Sequence, residues 1–284
     1  MTSEKLYKAF IYLILFLFAL SVLIPVFWVI TASIKENSEF YASPWTLPKG
    51  FNFENFTSAW REAEMGSYFL NSLTVTILSL VILLCTAIPC AYALSRFHFR
   101  LRRAVRALIM GGLFVNVSYI VVPIFLMLVG LNGIFDTTLF LNNKVVLSVV
   151  YAATALPFTV YLLSGYFESL SREYEEAAYV DGCSHFRTMV SIMVPLARPA
   201  VITVILFNSL SFWNEYIIAL TLMTDDRAKT LPVGLMNLMK AQNAAAQYGR
   251  MYAGLVIVMI PTLVLYILLQ KKLTEGMSVG GIKG

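Results

Sequence analysis

The sequence predicts an all-α integral membrane protein, a bundle of six transmembrane helices forming a single domain over residues 1–284. Three observations lead there. Of the 284 residues 59% are hydrophobic and only 13% charged, and the mean hydropathy is +0.75, whereas soluble domains carry roughly 25% charge. Uncharged runs cover 9–34, 65–95, 107–135, 145–167 and 251–270, each holding the roughly 20 apolar residues that a helix needs to cross the hydrocarbon. These runs are continuous rather than alternating, which excludes the strands of a transmembrane barrel.

In chain order, the spans are expected at about 10–32, 68–94, 107–131, 145–167, 199–223 and 251–270. The first is not a cleaved signal peptide: it outruns a 7–15-residue apolar core, lacks a small-x-small cleavage site before Lys35 and is followed by further spans. The fifth lies in a run, 199–224, interrupted by one charge, Glu215. Pro25, Pro89, Pro123, Pro157 and Pro261 fall in five of the six spans. Each removes a backbone hydrogen bond and tends to bend its helix, a defect that bundles tolerate when neighbours satisfy the freed carbonyls. Static kinking for packing accounts for such prolines; so does a translocation path that opens and closes.

Lysine and arginine counts orient the bundle. The N-terminus (Lys5, Lys8), the 95–106 loop (Arg96, Arg100, Arg102, Arg103, Arg106), the 168–198 loop (Arg172, Arg187, Arg198) and the tail (Lys271, Lys272, Lys283) hold 13; the alternate loops hold 8. The first set is therefore expected in the cytoplasm, with both termini inside a multi-pass protein of a bacterial or archaeal cell membrane. The 95–106 loop, five positives without an acid, reads as a topology anchor against anionic headgroups of the lipid bilayer. So short a basic patch gives no ground for a nucleic-acid partner.

On the outer side, 35–64 is acidic, punctuated by Pro44 and Pro48, and rich in aromatics including Trp45, Phe51, Phe53 and Trp60. It suits an interfacial belt of amphipathic rings and equally a surface that receives an extracytoplasmic partner. The 225–250 segment, with Leu231-Pro232 and a small-residue stretch over 236–247, is placed to join that surface. Cys85, Cys90 and Cys183 have no evident partners and read as free thiols; His98 and His185 are far apart, and no metal-ligand spacing or catalytic cluster is present. No catalytic residue and no metal ligand is assigned, and the chain is not expected to be an enzyme.

The 168–198 loop is long and patterned like folded helix, whereas a connector needs only a few residues. Ser171 is placed to cap a short helix with Glu173, Glu175 and Glu176 near its positive end. Ala177 and Ala178 leave one flank without bulk, and Gly182 permits the positive φ that ends a helix. Ser184 is placed to cap a second, amphipathic helix through Phe186, Met189, Val190 and Met193, before Pro195 and Pro199 mark entry to the next span. Two short helices at an angle make a knob for a partner's cleft.

Glu176-Ala177-Ala178, then Gly182 after three residues, then Ile192 after nine more, followed by Met193-Val194-Pro195, resembles the Glu-Ala-Ala signature of the membrane subunits of ABC importers. Val194 in place of Leu is the one departure. Further resemblance to the carbohydrate-uptake permeases, similar to the second permease of maltose-type transporters, lies in 91–97 (Ala-Tyr-Ala-Leu-Ser-Arg-Phe), Trp213-Asn214-Glu215, 231–235 (Leu-Pro-Val-Gly-Leu) and the Gly280–Gly284 end.

The resemblance implies a type I permease bundle with cytoplasmic coupling helices, forming half of a pore with a second homologous permease subunit. Two cytoplasmic ABC ATPase subunits would supply ATP hydrolysis, and an extracytoplasmic sugar-binding protein would deliver the cargo. It implies ATPase coupling through Glu175, Glu176, Ala177, Ala178, Asp181, Gly182 and Pro195, and a tail contact to the ATPases through Gly281 and Lys283. The chain has no Gly-x-x-x-x-Gly-Lys-Ser/Thr loop, so ATP and Mg²⁺ would belong to those partners, and no cofactor is expected here. An importer permease for a non-sugar solute is the alternative. An ion-coupled secondary carrier fits less well, since Glu215 has no ionisable intramembrane partner in the pattern.

For Trp213, Asn214 and Glu215, the candidate pore, substrate or gating residues, three readings stay open. Glu215 is able to bond sugar hydroxyls beside a stacking Trp213, to hold the permease pair together, or to cap a broken helix.

Overall fold

The computed structural model describes residues 2–61 and 64–280. The helices, in order, are α1 (Thr2–Ser33), α2 (Asn37–Ala42), α3 (Glu54–Arg61), α4 (Met65–Arg96), α5 (Arg102–Gly111), α6 (Val117–Ile134) and α7 (Lys144–Ser169). After these come α8 (Glu173–Val180), α9 (His185–Thr188), α10 (Val194–Leu196), α11 (Arg198–Trp213), α12 (Ile217–Leu222), α13 (Leu231–Ala244) and α14 (Tyr248–Gly280). No strand occurs among the described residues.

Four stretches are long and apolar enough to cross a bilayer: Lys5–Ser33, α4, α6 and α7. α6, the shortest, is ~27 Å long at 1.5 Å per residue. A fifth candidate is a bent pair, His185–Leu196 with Arg198–Trp213, broken by 78°, and Tyr248–Val264 is a shorter apolar helix. Two expected spans differ in outline. The run over 107–131 is divided, because α5 ends at Gly111 and a 3₁₀ turn, Gly112–Phe114, precedes α6, whose start Asn116 caps by accepting from the Ser118 N–H. The run over 199–223 is divided at Asn214, between α11 and α12. All five prolines lie inside helices that continue through them.

The chain forms two compact units. One comprises Met1–Gly66 and Gly234–Pro261. Along α1 the side chains from Leu13 to Phe18 are 48–69% exposed, an apolar surface that needs lipid or another helix to cover it. Beyond α1 the segment through Asn55 is folded. Lys35 is buried and donates to the Pro44 carbonyl at 2.9 Å, with its ammonium 5.5 Å from the Phe40 ring centre. Glu39 accepts from the backbone N–H of Lys49 at 3.0 Å, and Asn55 donates to the carbonyls of Ser33 and Lys35. Of the aromatic set Phe40 is buried, packing on Tyr248 and Tyr252, while Trp45 leans on Trp28, which also meets Tyr252 edge-on. Trp45, Phe51 and Phe53 remain exposed.

Gly249 fits where a side chain does not. A Cβ there would lie 2.5 Å from Asn55 Nδ2 and 2.7 Å from the Lys35 carbonyl oxygen. Gly249→Ala is expected to destabilise this unit by about 1–3 kcal/mol, the usual cost of overpacking. At Gly254 the nearest atom is the tip of Leu238, 2.4 Å away, which is free to swing aside, so Gly254→Ala is expected to cost less. Thermal unfolding of the purified variants checks the order.

The other unit comprises Ser67–Val233 and Thr262–Gly284. Its core runs along α4, α7 and α11 through Val75, Leu83, Leu147, Tyr151, Val160, Leu163, Phe167 and Val204. Ala87, Ala91, Ala152 and Ala200 are buried, small residues that let helices approach closely without a hydrophobic driving force in lipid. Polar groups are matched across helices: Ser164 Oγ donates to the Ala91 carbonyl, and Asn208 Nδ2 to Thr159 Oγ1 at 3.1 Å. Pro157 packs on Gly112, where a Cβ would meet its ring at 2.7 Å. At the other end of α4, Asn71 donates to the carbonyls of Arg227 and Lys229, and Ser72 Oγ accepts from the Leu231 N–H. These bonds fix the start of α13 at the Leu231-Pro232 motif.

Candidate coupling surface and intramembrane carboxylate

The 168–198 segment is built as its local chemistry dictates. Ser171 Oγ accepts from the Glu173 N–H at 3.3 Å, and the Arg172 carbonyl accepts from the N–H groups of Glu175 and Glu176. Three acids in the first turn, Glu173, Glu175 and Glu176, sit where the helix dipole favours them. α8 ends in a Schellman arrangement. Gly182 adopts φ +78°, its N–H donates to the Tyr179 carbonyl, and the Cys183 N–H donates to that of Ala178. Ser184 then caps α9 by accepting from the Arg187 N–H.

The expected second amphipathic helix is α9, a π-helical turn (Met189–Met193) and α10 in succession. Met189 and Met193 are buried, while Phe186 and Val190 face outward. A π turn shifts the register by lengthening the hydrogen-bonded loop, so one uninterrupted apolar stripe through all four is not formed.

The candidate coupling residues divide into two sets. Glu176, Ala177, Asp181, Gly182 and Pro195 are exposed, whereas Glu175 and Ala178 are buried within the subunit. Glu175 Oε1 accepts from the Tyr92 hydroxyl at 2.5 Å, and Oε2 lies 3.3 Å from Arg96 Nε. Arg96 also donates to the Leu170 carbonyl at 2.9 Å. Around this group Tyr92 packs edge-on against Phe97 and Phe167, Phe97 against His185, and His185 Nδ1 is 2.7 Å from the Tyr179 hydroxyl.

The sequence assigns no role to Tyr92 and reads Arg96 only as one of the five anchor arginines, although both lie in the 91–97 stretch that carries the resemblance. Two apolar side chains of this segment are also exposed: Val180 at 89%, and Phe186 at 71%. Of the five arginines in the 95–106 loop, three are engaged internally. Arg96 is described above, Arg102 donates to the Leu94 carbonyl, and Arg106 pairs with Glu168 at 2.9 Å. Arg100 and Arg103 are exposed.

Glu215 sits in the break between α11 and α12. Its Oε1 accepts from the Ile218 N–H at 2.8 Å; its Oε2 accepts from the Ala219 N–H at 3.0 Å and from the Tyr151 hydroxyl at 2.7 Å. Two of the orphan donors that open α12 are thereby satisfied. The carboxylate borders a cavity of about 460 Å³ with Tyr151, Thr154, Phe158, Phe207, Asn208 and Ser211. Trp213 lies elsewhere: it is buried, edge-on to Phe69 at 5.4 Å. Its ring is thus occupied by a protein neighbour, and Asn214 turns back to bond the Leu210 carbonyl. Gly281 and Lys283 lie outside the described residues.

The fold and site define a polytopic helical membrane protein with an exposed acidic and apolar segment at α8–α9 and a carboxylate that caps α12. The comparisons place it more narrowly. Residues 84–277 match the family of the binding-protein-dependent transport system inner membrane component, and the chain belongs to that family. It is 33% identical over 279 residues to the diacetylchitobiose uptake system permease protein NgcG of Streptomyces coelicolor, covering 98% of this chain and 90% of the relative. It is 31% identical over 290 residues to the trehalose/maltose transport system permease protein MalG of Thermococcus litoralis, covering both chains fully. Among solved structures it matches a chain of a bacterial ABC transporter involved in the import of the acidic polysaccharide alginate. That match has a TM-score of 0.81 at 25% identity and covers 95% of this chain and 98% of the other. The chain is a non-catalytic, multi-pass inner-membrane permease component of an ABC transporter.

Proposed function

We propose that this permease forms half of the translocation pore of an ATP-driven sugar importer, with six crossings and both termini in the cytoplasm. A second homologous permease completes the pore, two ATPases drive it, and an extracytoplasmic binding protein delivers the cargo. The observation that carries the coupling role is the exposed face of α8 to α10. Glu176 and Asp181 flank small Ala177 and Gly182, beside the protruding Val180 and Phe186. Such a knob offers charge-assisted contacts and a close approach to a cleft in an ATPase. Gly281 and Lys283 belong to the same proposal, as residues that contact the ATPases. Glu215 serves as a structural and gating element at the α11–α12 break, because its oxygens already hold a helix start and Tyr151.

Carbohydrate is the cargo class. Relatives named for their solutes include those of diacetylchitobiose, of trehalose and maltose, of melibiose, raffinose and stachyose, and of sulfoquinovosyl glycerol. A thermal-shift panel of those sugars on the partner binding protein tests the assignment. At 100 Kd of ligand, stabilisation of about 2.7 kcal/mol is expected for the cognate sugar. No shift with any carbohydrate would move the assignment to a non-sugar solute.

A further inference from the structure

We propose that Glu175 is a positioning residue of the transport cycle: with Tyr92 and Arg96 it forms a buried joint that carries motion of α8 into α4. The proposal rests on the coupling role given above for 168–198 and adds the route that motion takes inside the subunit. The covalent route is weak, because the chain leaves α7 at Leu170 in an extended conformation, φ −76° and ψ 143°. α8 is therefore not a continuation of the α7 rod, and the two helices are joined through an extended residue.

The side-chain route is strong. The side chains of Arg96 and Glu175 are 5% and 8% exposed. Separating a buried pair leaves an uncompensated charge, and the Tyr92 hydroxyl would lose its acceptor as well. Parting α8 from the end of α4 thus costs more than moving both together. Arg96 also grips the Leu170 carbonyl, so one guanidinium clamps the α7–α8 junction and the joint at once. From Arg96, α4 runs without a break to Met65, ~48 Å at 1.5 Å per residue. A displacement delivered at the joint reaches the far side of the bilayer along one helix.

The test uses the full transporter, with its ATPases, in lipid vesicles, and MgATP with orthovanadate as the probe; no sugar is needed. Hydrogen exchange is followed in α8 and α4. The wild-type complex is expected to show a nucleotide-dependent change in both. Glu175→Gln is expected to keep the α8 response while the α4 response falls about tenfold, within the 5–150-fold span of ordinary coupling. The conservative Glu175→Asp, which keeps a carboxylate facing Tyr92 and Arg96, is expected to retain most of the α4 response, so that the loss in Glu175→Gln follows the charge and not the packing. If Glu175→Gln does not assemble, Tyr92→Phe decides, since it keeps the ring packing and removes one hydroxyl; a partial loss at α4 supports the joint. A full α4 response in an intact complex of Glu175→Gln or Tyr92→Phe overturns the joint. No nucleotide response in α8 of the wild type overturns the coupling role itself, a different failure.

Discussion

Glu215→Ala is expected to lower the stability of the subunit by about 3 kcal/mol or more, measured by thermal unfolding in detergent. Three bonds to a charged acceptor are lost together. Hydrogen bonds to charged groups are each worth about 1.5–3 kcal/mol, and a buried donor left without its partner costs about 1–3 kcal/mol. Tyr151 is 1% exposed, so its hydroxyl has no ready substitute. Tyr151→Phe is expected to cost only about 1 kcal/mol, because it removes the donor along with the need for it. Glu215→Gln retains one acceptor oxygen and should fall between. The two sites are in contact, so the double variant should be non-additive by 0.5–3 kcal/mol. A Glu215→Gln subunit of unchanged stability would overturn the structural part of the role given to this carboxylate.

This result bears on what was legible in the sequence. An acid inside an apolar run announces itself, and capping of a broken helix was one of three readings available. The break could not be placed, because Trp213-Asn214-Glu215 is apolar enough on both sides to pass as one span. Bilayer-scale hydropathy sees composition, not hydrogen bonding, and both spans it outlined too simply are divided at polar or glycine positions, Asn214 and Gly111-Gly112. The Asn116 cap was passed over inside an apolar run, whereas the Ser184 cap and the left-handed Gly182 were readable, since each acts on its immediate neighbours. Tyr92 with Glu175 was not: the partners lie 83 residues apart, and no local pattern couples them. Likewise Ala177 and Ala178 are alike in sequence, and only the fold shows that one faces outward and the other inward.

That difference yields the second large effect. Ala178 is 3% exposed, one residue in a well-packed turn of α8, whereas its neighbour Ala177 is exposed. Ala178→Trp would force a large ring into the interface between α8 and its own bundle. Overpacking of that kind costs typically about 1–3 kcal/mol, occasionally more, and displaces the helix that bears Glu175. The variant is expected to insert but to lose transport, with a lower unfolding temperature even in the isolated permease. Ala177→Trp and Glu176→Lys are expected to leave the isolated permease as stable as wild type, since exposed substitutions usually stay within about 0.5 kcal/mol. Their defect should appear as ATPases lost on co-purification. Loss of a charge-assisted contact worth about 1.5–3 kcal/mol weakens association roughly 10–150-fold. The isolated subunit thus separates the two faces of one short helix. If Ala178→Trp leaves stability untouched while Ala177→Trp destabilises, the orientation of α8 is reversed, and Glu175 rather than Glu176 meets the ATPase.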